Sequence, residues 1–330
     1  MNTGTARPAV DLSLVVPVYN MAGHITHLAG EIAKLGELAA EVIVVDDGSR
    51  DGSVEGLRAL AAETEALTLI ECAENAGAGV ARNIGFPQAR GRYTLFFDGD
   101  DTLHPEAIRA TIAVLDRTGA DATINCYEFI RDAGDTGTGM NVIDRELWGK
   151  FFDKLGGEAF ELAEAPRFLE FTNYPWNKIV RTEWYQSLGL EPLFGRTRVN
   201  NDILGHWNIL LHARILVLVD ETIVTHRVSG ARDHLSNQFG RERLELFAAL
   251  RSVHEILRAD PALGARYAPI YWSLARRLVT WAKDKVVDPE VDAAFVREAR
   301  ALVADVSFEE LLGTHRADAA GTYRWLMHRI

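Results

Sequence analysis

The chain has 330 residues, 48% of them apolar and 25% charged, a composition that fits a folded protein and excludes collagen-like, coiled-coil and fully disordered readings. Its 35 basic side chains against 47 acidic ones leave a net charge of −12. A broad nucleic-acid or anionic-membrane footprint is thereby excluded, and any phosphate-bearing ligand has to be held by a local device.

Residues 1–10 read as a frayed tail, because Met1–Pro8 is followed by no apolar stretch ending in a small-residue cleavage site. No apolar run reaches the roughly 18 residues that a spanning helix needs. A cytoplasmic protein is expected, with at most peripheral contact with a membrane. The two cysteines, Cys72 and Cys126, sit inside apolar runs without metal-like spacing and read as buried thiols.

From Leu12 onward, short β-branched runs alternate with helical patterns. Leu12–Val18, Glu41–Val45, Leu67–Glu71 and Tyr93–Phe97 are strand-like, and His24–Leu38, Ser53–Glu63 and Gly77–Ala89 carry apolar residues at helical spacing. Ala107–Asp116 continues with a helix and Ala120–Ile130 with a strand. This β-α-β-α order predicts an α/β fold with a mostly parallel sheet flanked by helices, its ligand crevice at the carboxyl ends of the strands. Gly134–Gly139 reads as a flexible connection, and Leu147–Phe171 as loop plus a short helix. Asp202–His212 reads as a helix, with Ile215–Val219 and Glu221–Val228 as a pair of strands. Beyond residue 240 every period is helical: Arg241–Arg258, Ala265–Lys285, Glu290–Ala304, Phe308–Thr314 and Ala319–Ile330. The expected units are an α/β domain over 11–232, with halves 11–130 and 131–232, and a helical region over 233–330.

The residues after each strand carry the chemistry. Pro17 and Tyr19 end the first strand and Asp46-Asp47 the second. An aromatic ring stacks on a flat base, while a carboxylate accepts a hydrogen bond from a ring N–H; the alternative is a simple turn with a helix cap at Asp47-Gly48-Ser49. A calcium loop starting at Asp47 fails because its twelfth position is Arg58. Gly77-Ala78-Gly79 opens a phosphate-binding type of turn, but the third glycine of a dinucleotide fingerprint is replaced by Arg82. That Arg either reaches a diphosphate or its base, or decorates a solvated face. The fourth strand ends Phe97-Asp98-Gly99-Asp100-Asp101. Carboxylates so crowded repel one another unless a cation lies among them. Mg²⁺ or Mn²⁺ with its oxygen ligands is the natural solution, turn and cap chemistry being the alternative.

Taken together, these strand ends resemble the family 2 glycosyltransferases, inverting enzymes of the GT-A fold. Val16-Pro17-Val18-Tyr19-Asn20, Val45-Asp46-Asp47-Gly48-Ser49, Asn75-Ala76-Gly77 with Arg82-Asn83, and Phe97-Asp98-Gly99-Asp100-Asp101 match in order and spacing. Trp176-Asn177-Lys178, Val199-Asn200-Asn201-Asp202 and His226-Arg227 extend the likeness into the second half, up to about residue 232. The resemblance implies transfer of a sugar from a nucleotide donor, usually a UDP-sugar, to a glycan, lipid-linked or protein hydroxyl. It implies uridine contacts at Pro17, Tyr19 and Asp47, a base or diphosphate contact at Arg82, and nucleotide or metal contacts at Asp98. Asp100 is implied as a direct metal ligand and Asp202 as the general base. One departure is Asn201, where members usually carry Glu.

An ionised carboxylate is needed to draw off the acceptor proton. Asp202, near a predicted helix N-terminus, suits that role, or merely caps the helix. His226 is a candidate third metal ligand or phosphate contact, or an ordinary hydrogen-bonded histidine. His206, one turn after Asp202, is a candidate for orienting it or facing the acceptor. Asp101, Trp176, Lys178 and Trp207 complete the candidate sugar and acceptor contacts, the two Trp rings as an apolar platform or as core. Arg276 and Arg277 beside Trp272 and Trp281 form either a docking face or a packed amphipathic helix. Among rivals, a nucleotidyltransferase needs a Gly-rich basic loop where Pro17-Val18-Tyr19 stands, and a catalytically silent sugar-nucleotide binder is favoured by Asn201.

Overall fold

A computed structural model describes residues 10–131, 139–228, 240–317 and 321–328; residues 1–9 of the expected frayed tail and nearly all of Gly134–Gly139 lie outside them, while the Val10 carbonyl accepts the Arg92 N–H. The first half runs β1 (Leu12–Val18), α1 (Ile25–Ala33), β2 (Ala40–Asp46), α2 (Ser53–Glu63), β3 (Leu67–Glu71), α3 (Ala78–Gly85), β4 (Tyr93–Phe96), β5 (Thr102–Leu103), α4 (Pro105–Thr118), β6 (Ala122–Asn125) and β7 (Glu128–Arg131). Next come α5 (Val142–Leu155), β8 (Ala159–Phe160), β9 (Ile179–Arg181), α6 (Thr182–Ser187), α7 (Asn201–His212), β10 (Leu216–Val219) and β11 (Val224–Val228). The chain closes with α8 (Glu245–Ala259), α9 (Pro261–Lys283), α10 (Pro289–Ala304), α11 (Phe308–Ala317) and α12 (Thr322–His328).

Eight strands form the main sheet in the order β3-β2-β1-β4-β9-β6-β10-β8. β1 pairs in parallel with both β2 and β4, so the strand order reverses at β1, and a crevice opens at the carboxyl ends of β1 and β4. β9 runs antiparallel between β4 and β6, and β8 antiparallel on β10. Every residue of β1 is buried, which is why that strand is apolar throughout except for Ser13, whose hydroxyl donates to Glu41.

The expected single strand over Ala120–Ile130 is two strands. β6 stays in the main sheet, and β7 joins a second sheet of order β5-β11-β7. The break falls at Cys126-Tyr127, where Tyr127 turns its ring into a cluster with Phe129, Phe171, Tyr174 and Trp176 and its hydroxyl donates to Asp144. Nor do the strands after α7 pair with each other: β10 lies on β6 and β11 on β7, so both chains cross from one sheet to the next side by side. This crossing brings His226 beside Asp101 and Trp176 at the rim of the crevice.

The stretch read as loop plus short helix contains a full helix, α5. Asn141 caps it by accepting from the Asp144 N–H, and Leu147, Trp148 and Leu155 are its buried stripe. The C-terminal helices pack on the α/β layer. Ser273 and Arg277 of α9 donate to Glu170, and Arg276 to Thr322, so the Arg276–Arg277 face is a packed one and not a membrane-docking surface. Trp272 is buried, and Trp281 alone of that pair reaches the surface. Among the described residues no helix is long and apolar enough to cross a membrane.

Candidate active site

Two cavities adjoin at the crevice and share Pro17, Ala78 and Arg198. The larger, of about 900 Å³, is lined by Pro17, Tyr19, Asn20, Asp47, Arg50 and Asn75 among others. Tyr19 is 42% exposed there. Asp47 is buried and accepts the Ala76 N–H at 2.9 Å on one oxygen and the Gly77 N–H at 2.7 Å on the other. It thereby fixes the turn into α3, and each oxygen keeps a lone pair for a further donor. Gly77 has φ +97°, which only glycine adopts without strain.

The smaller cavity, of about 430 Å³, gathers Arg82, Asp98, Asp100, Trp176, Asp202 and His226. Chain segments far apart in sequence meet here because β1 and β4 end side by side, α3 starts behind them, and α7 starts opposite. Arg82 is 4% exposed. It donates to Asp98 at 2.5 Å and to the Asn201 side chain at 3.0 Å. The residue that departs from the family pattern is thus the one Arg82 grips. Close approach of α3 and the segment before α7 depends on Gly79, where an added Cβ would lie 2.1 Å from the Gly195 carbonyl oxygen.

Asp202 sits in the first turn of α7, with the left-handed Asn200 (φ 60°) turning the chain into the helix. Desolvation pushes its pKa up to about 6, against the opposing pull of Arg82 and Lys178. A carboxylate tuned upward within a cleft has the character of a general base that is ionised at neutral pH yet basic enough to take a proton.

His226 donates to or accepts from Asp101 through Nδ1 at 2.7 Å, stacks on Trp176 with ring centroids 5.6 Å apart, and has Nε2 as its other ring nitrogen. Asp101 itself is fully buried and also accepts the Arg227 N–H. The structure therefore places Asp101 behind His226 and not among acceptor contacts. Burial raises the Asp101 pKa, and the charges of Asp98 and Asp100 raise it further. The same two charges raise that of His226, whose fall by desolvation is outweighed by its carboxylate neighbours. Carboxylates together with an imidazole at one rim are the donor chemistry of a hard divalent cation, so the residues fit one. Among the described residues no three His, Cys, Asp or Glu side chains converge into a complete cage; a cation here needs ligand oxygens besides those of the protein.

Three further candidates fall elsewhere. Trp207 is fully buried and packs edge-on against Tyr271 of α9, so it is core and no sugar platform. His206 is buried with Nε2 at 3.0 Å from the Phe168 carbonyl, and desolvation holds its pKa well below the usual value; that hydrogen bond turns the ring toward the Phe168 segment, and it does not line the cavity of Asp202. Lys178 is buried, its Nζ donating to the Tyr174 carbonyl at 2.8 Å and Asn177 at 2.6 Å, and desolvation lowers its pKa to about 7. It supports the cavity floor from below. Trp176 does line the cavity, stacked on both Tyr174 and His226, whose rings also touch each other.

Arg198, Tyr174, Arg243 and Trp281 also line this cavity, and none of them was singled out as a site residue from the sequence. Arg198 stands four places before Asp202 and its backbone N–H donates to Glu245 of α8. No motif marks any of these positions; only the packing of α8 and α9 brings two of them in.

Residues 13–188, just over half of the chain, match the family model described as glycosyl transferase family 2. The chain belongs to that family. It is a glycosyltransferase, and its mostly parallel sheet with flanking helices is the GT-A fold. Glycosyltransferase GlyG of Streptococcus pneumoniae serotype 4 is 25% identical over 72% of this chain and 78% of its own length. Among solved structures, residues 1–349 of Staphylococcus aureus TarS in complex with UDP-GlcNAc superpose with a TM-score of 0.72 at 20% identity, covering 97% of this chain and 91% of that one. A mannosyltransferase of Pyrobaculum calidifontis in complex with GDP-Man and Mn²⁺ superposes with a TM-score of 0.55 at 19% identity, over 97% and 84% of the two chains.

Proposed function

We propose that this glycosyltransferase moves a sugar from a UDP-sugar to a hydroxyl acceptor with inversion at the anomeric carbon, assisted by a divalent cation. The observation that carries the reading is the placement of Asp202, its pKa pushed up to about 6, in one cavity with Asp98 and Asp100, next to a second cavity that has nucleoside-binding chemistry. Support for the donor comes from the TarS structure, which holds UDP-GlcNAc. Support for a cation comes from the mannosyltransferase, which holds Mn²⁺.

In this reading the base stacks on Tyr19 beside Pro17, and Asp47 accepts its ring N–H. The diphosphate crosses from the larger cavity to the smaller, past Arg198 and over Ala78 at the start of α3, toward Arg82. Asp98, Asp100 and His226 are the side chains that would hold Mn²⁺ or Mg²⁺, with diphosphate oxygens needed besides their own, and such a cation would supply positive charge against the leaving group. Arg82 holds Asp98 in position through their ion pair. Asp202 accepts the proton of the acceptor hydroxyl as its oxygen attacks the face of the anomeric carbon opposite the departing UDP. Direct displacement of that kind needs one base and inverts the configuration. The helical region 233–330 is proposed to complete the acceptor side of a catalytic unit spanning 11–232.

Thermal unfolding of the full chain with UDP, GDP, UDP-GlcNAc or UDP-glucose, each with and without Mn²⁺, tests this reading. A ligand of the folded state raises the midpoint with its concentration. UDP with Mn²⁺ is expected to raise it more than UDP alone or GDP with Mn²⁺; no rise with any uridine ligand contradicts the donor assignment.

A further inference from the structure

The cavity that holds Asp202 is walled in part by residues beyond the family-matched segment, which ends at residue 188. Arg243 lies in the turn leading into α8, and Trp281 lies near the end of α9; both line the cavity. Neither lines the larger cavity, where Tyr19 and Asp47 are. The pair therefore belongs to the cavity of Asp202 and not to that of Tyr19 and Asp47.

Trp281 is 45% exposed, whereas Trp176, Trp207 and Trp272 are fully packed. Two cations lie against its ring: the Arg243 guanidinium carbon is 5.1 Å from the centroid and the Lys285 ammonium 5.8 Å. Arg243 is only 2% exposed, so its direction is fixed by packing and little of its freedom is left to lose on binding. Arg198 adds a third cation at the edge that both cavities share. An exposed indole face packs on the C–H face of a sugar ring, and a fixed guanidinium makes charge-assisted hydrogen bonds to a phosphate or carboxylate. In a chain of net charge −12, an anionic ligand meets overall repulsion, which makes a local cationic cluster at the cavity mouth a selective feature.

We propose that Arg243 and Trp281 form the acceptor subsite, and that the acceptor is a sugar unit carrying an anionic group, phosphate or carboxylate. This rests on the nucleotide-sugar reading above and adds the chemical class of the second substrate. Trp281 supplies the platform, Arg243 the anion contact and Lys285 the flanking positive field.

Calorimetric titration of the full chain, saturated with UDP and Mn²⁺ so that the diphosphate position is filled, tests it with glucose, glucose 6-phosphate and glucuronate. At least one anionic sugar is expected to bind about tenfold tighter than glucose or better, a difference of about 1.4 kcal/mol. Preference for glucose 6-phosphate assigns a phosphate-bearing acceptor, and preference for glucuronate a carboxylate. Arg243→Gln should erase the preference, and Trp281→Ala should weaken all three sugars together, while UDP affinity stays within about twofold of the unaltered chain. Because Arg243 is buried, Lys285→Gln at the exposed rim is measured in parallel and should reduce the preference without unfolding the chain. Equal binding of the three sugars, no binding of any, or a preference that survives both charge substitutions overturns the assignment. Failure of UDP itself to bind removes the nucleotide-sugar reading; UDP binding without anion preference removes only the acceptor assignment.

Discussion

The Arg82 guanidinium meets the Asp98 carboxylate at 2.5 Å, and through its second nitrogen it also holds Asn201, so a single side chain of α3 ties the end of β4 to the start of α7. Arg82 is 4% exposed and Asp98 31%, which makes the pair a partly screened one. Arg82→Gln is expected to cost about 1–3 kcal/mol, below the range for fully buried pairs, readable by urea denaturation. Arg82 also lowers the Asp202 pKa. Its removal should therefore move the acidic fall in activity to higher pH.

If Asp202 is the base as proposed, it sets the pH dependence of the unaltered chain. Its folded-state pKa of about 6 stands above the ordinary 3.8, so the base form is lost as pH drops through 6. Below that point kcat/KM should fall about tenfold per pH unit, and above it the profile should level. A midpoint near 4 would mean that the carboxylate is not desolvated as described. Profiles taken from pH 5 to 8 at constant ionic strength check this.

Gly79 and Gly30 make opposite predictions for the same change. At Gly79 a Cβ would sit 2.1 Å from the Gly195 oxygen and 2.7 Å from the Asn201 Cβ. Overpacking of that kind costs about 1–3 kcal/mol or more, outweighing the gain of about 1 kcal/mol in helix propensity. Gly79→Ala should lower the melting temperature and, by displacing Asn201 and Asp202, the activity. At Gly30 in α1 nothing lies within 4 Å of the added carbon, and Gly30→Ala should stabilise the chain by about 0.5–1 kcal/mol with activity intact.

Much of this was legible before any coordinates. β1 and β2 are almost entirely buried and so appear as mainly apolar runs, and parallel α/β order sends the strand ends to one crevice; Pro17, Tyr19, Asp47, Arg82, Asp98 and Asp100 line the two cavities for that reason, while Asp202 and His226 reach the smaller one from α7 and β11. What local pattern does not record is which surface a helix or strand will meet. The apolar run at Ala120–Ile130 gives no sign that it changes sheets at Cys126, and α5 hides its stripe among Gly149, Lys150 and Lys154. Trp207 and His206 share a helix with Asp202, yet both are core: Trp207 packs on Tyr271 of α9, and His206 is tied to the Phe168 carbonyl. Arg243 and Trp281 are the reverse case, brought into the cavity by the same long-range packing.

Glu245 carries that packing to the site. Its carboxylate accepts the Arg198 N–H at 2.5 Å and the Val199 N–H at 3.3 Å, anchoring the segment before α7 to α8. Hydrogen bonds to a charged group contribute about 1.5–3 kcal/mol. Glu245→Ala should lower stability by about that much and reduce kcat more than it weakens UDP binding, since Asp202 loses its anchor while Tyr19 and Asp47 keep theirs. Paired denaturation and steady-state measurements separate the two effects.

The most direct test of the account is Asp202→Asn, assayed for UDP release and UDP binding at pH 8. A folded-state pKa above the unfolded value favours the fold below about pH 4, and that contribution is lost as pH rises through 6; at pH 8 the uncharged amide removes the cost of a desolvated charge. The variant should therefore be at least as stable as the unaltered chain and bind UDP with Mn²⁺ equally well, while turnover falls by about two to four orders of magnitude. Turnover within about threefold of the unaltered enzyme, with an Asp202→Asn chain that is folded and binds UDP, would contradict the proton-accepting role on which the mechanism stands.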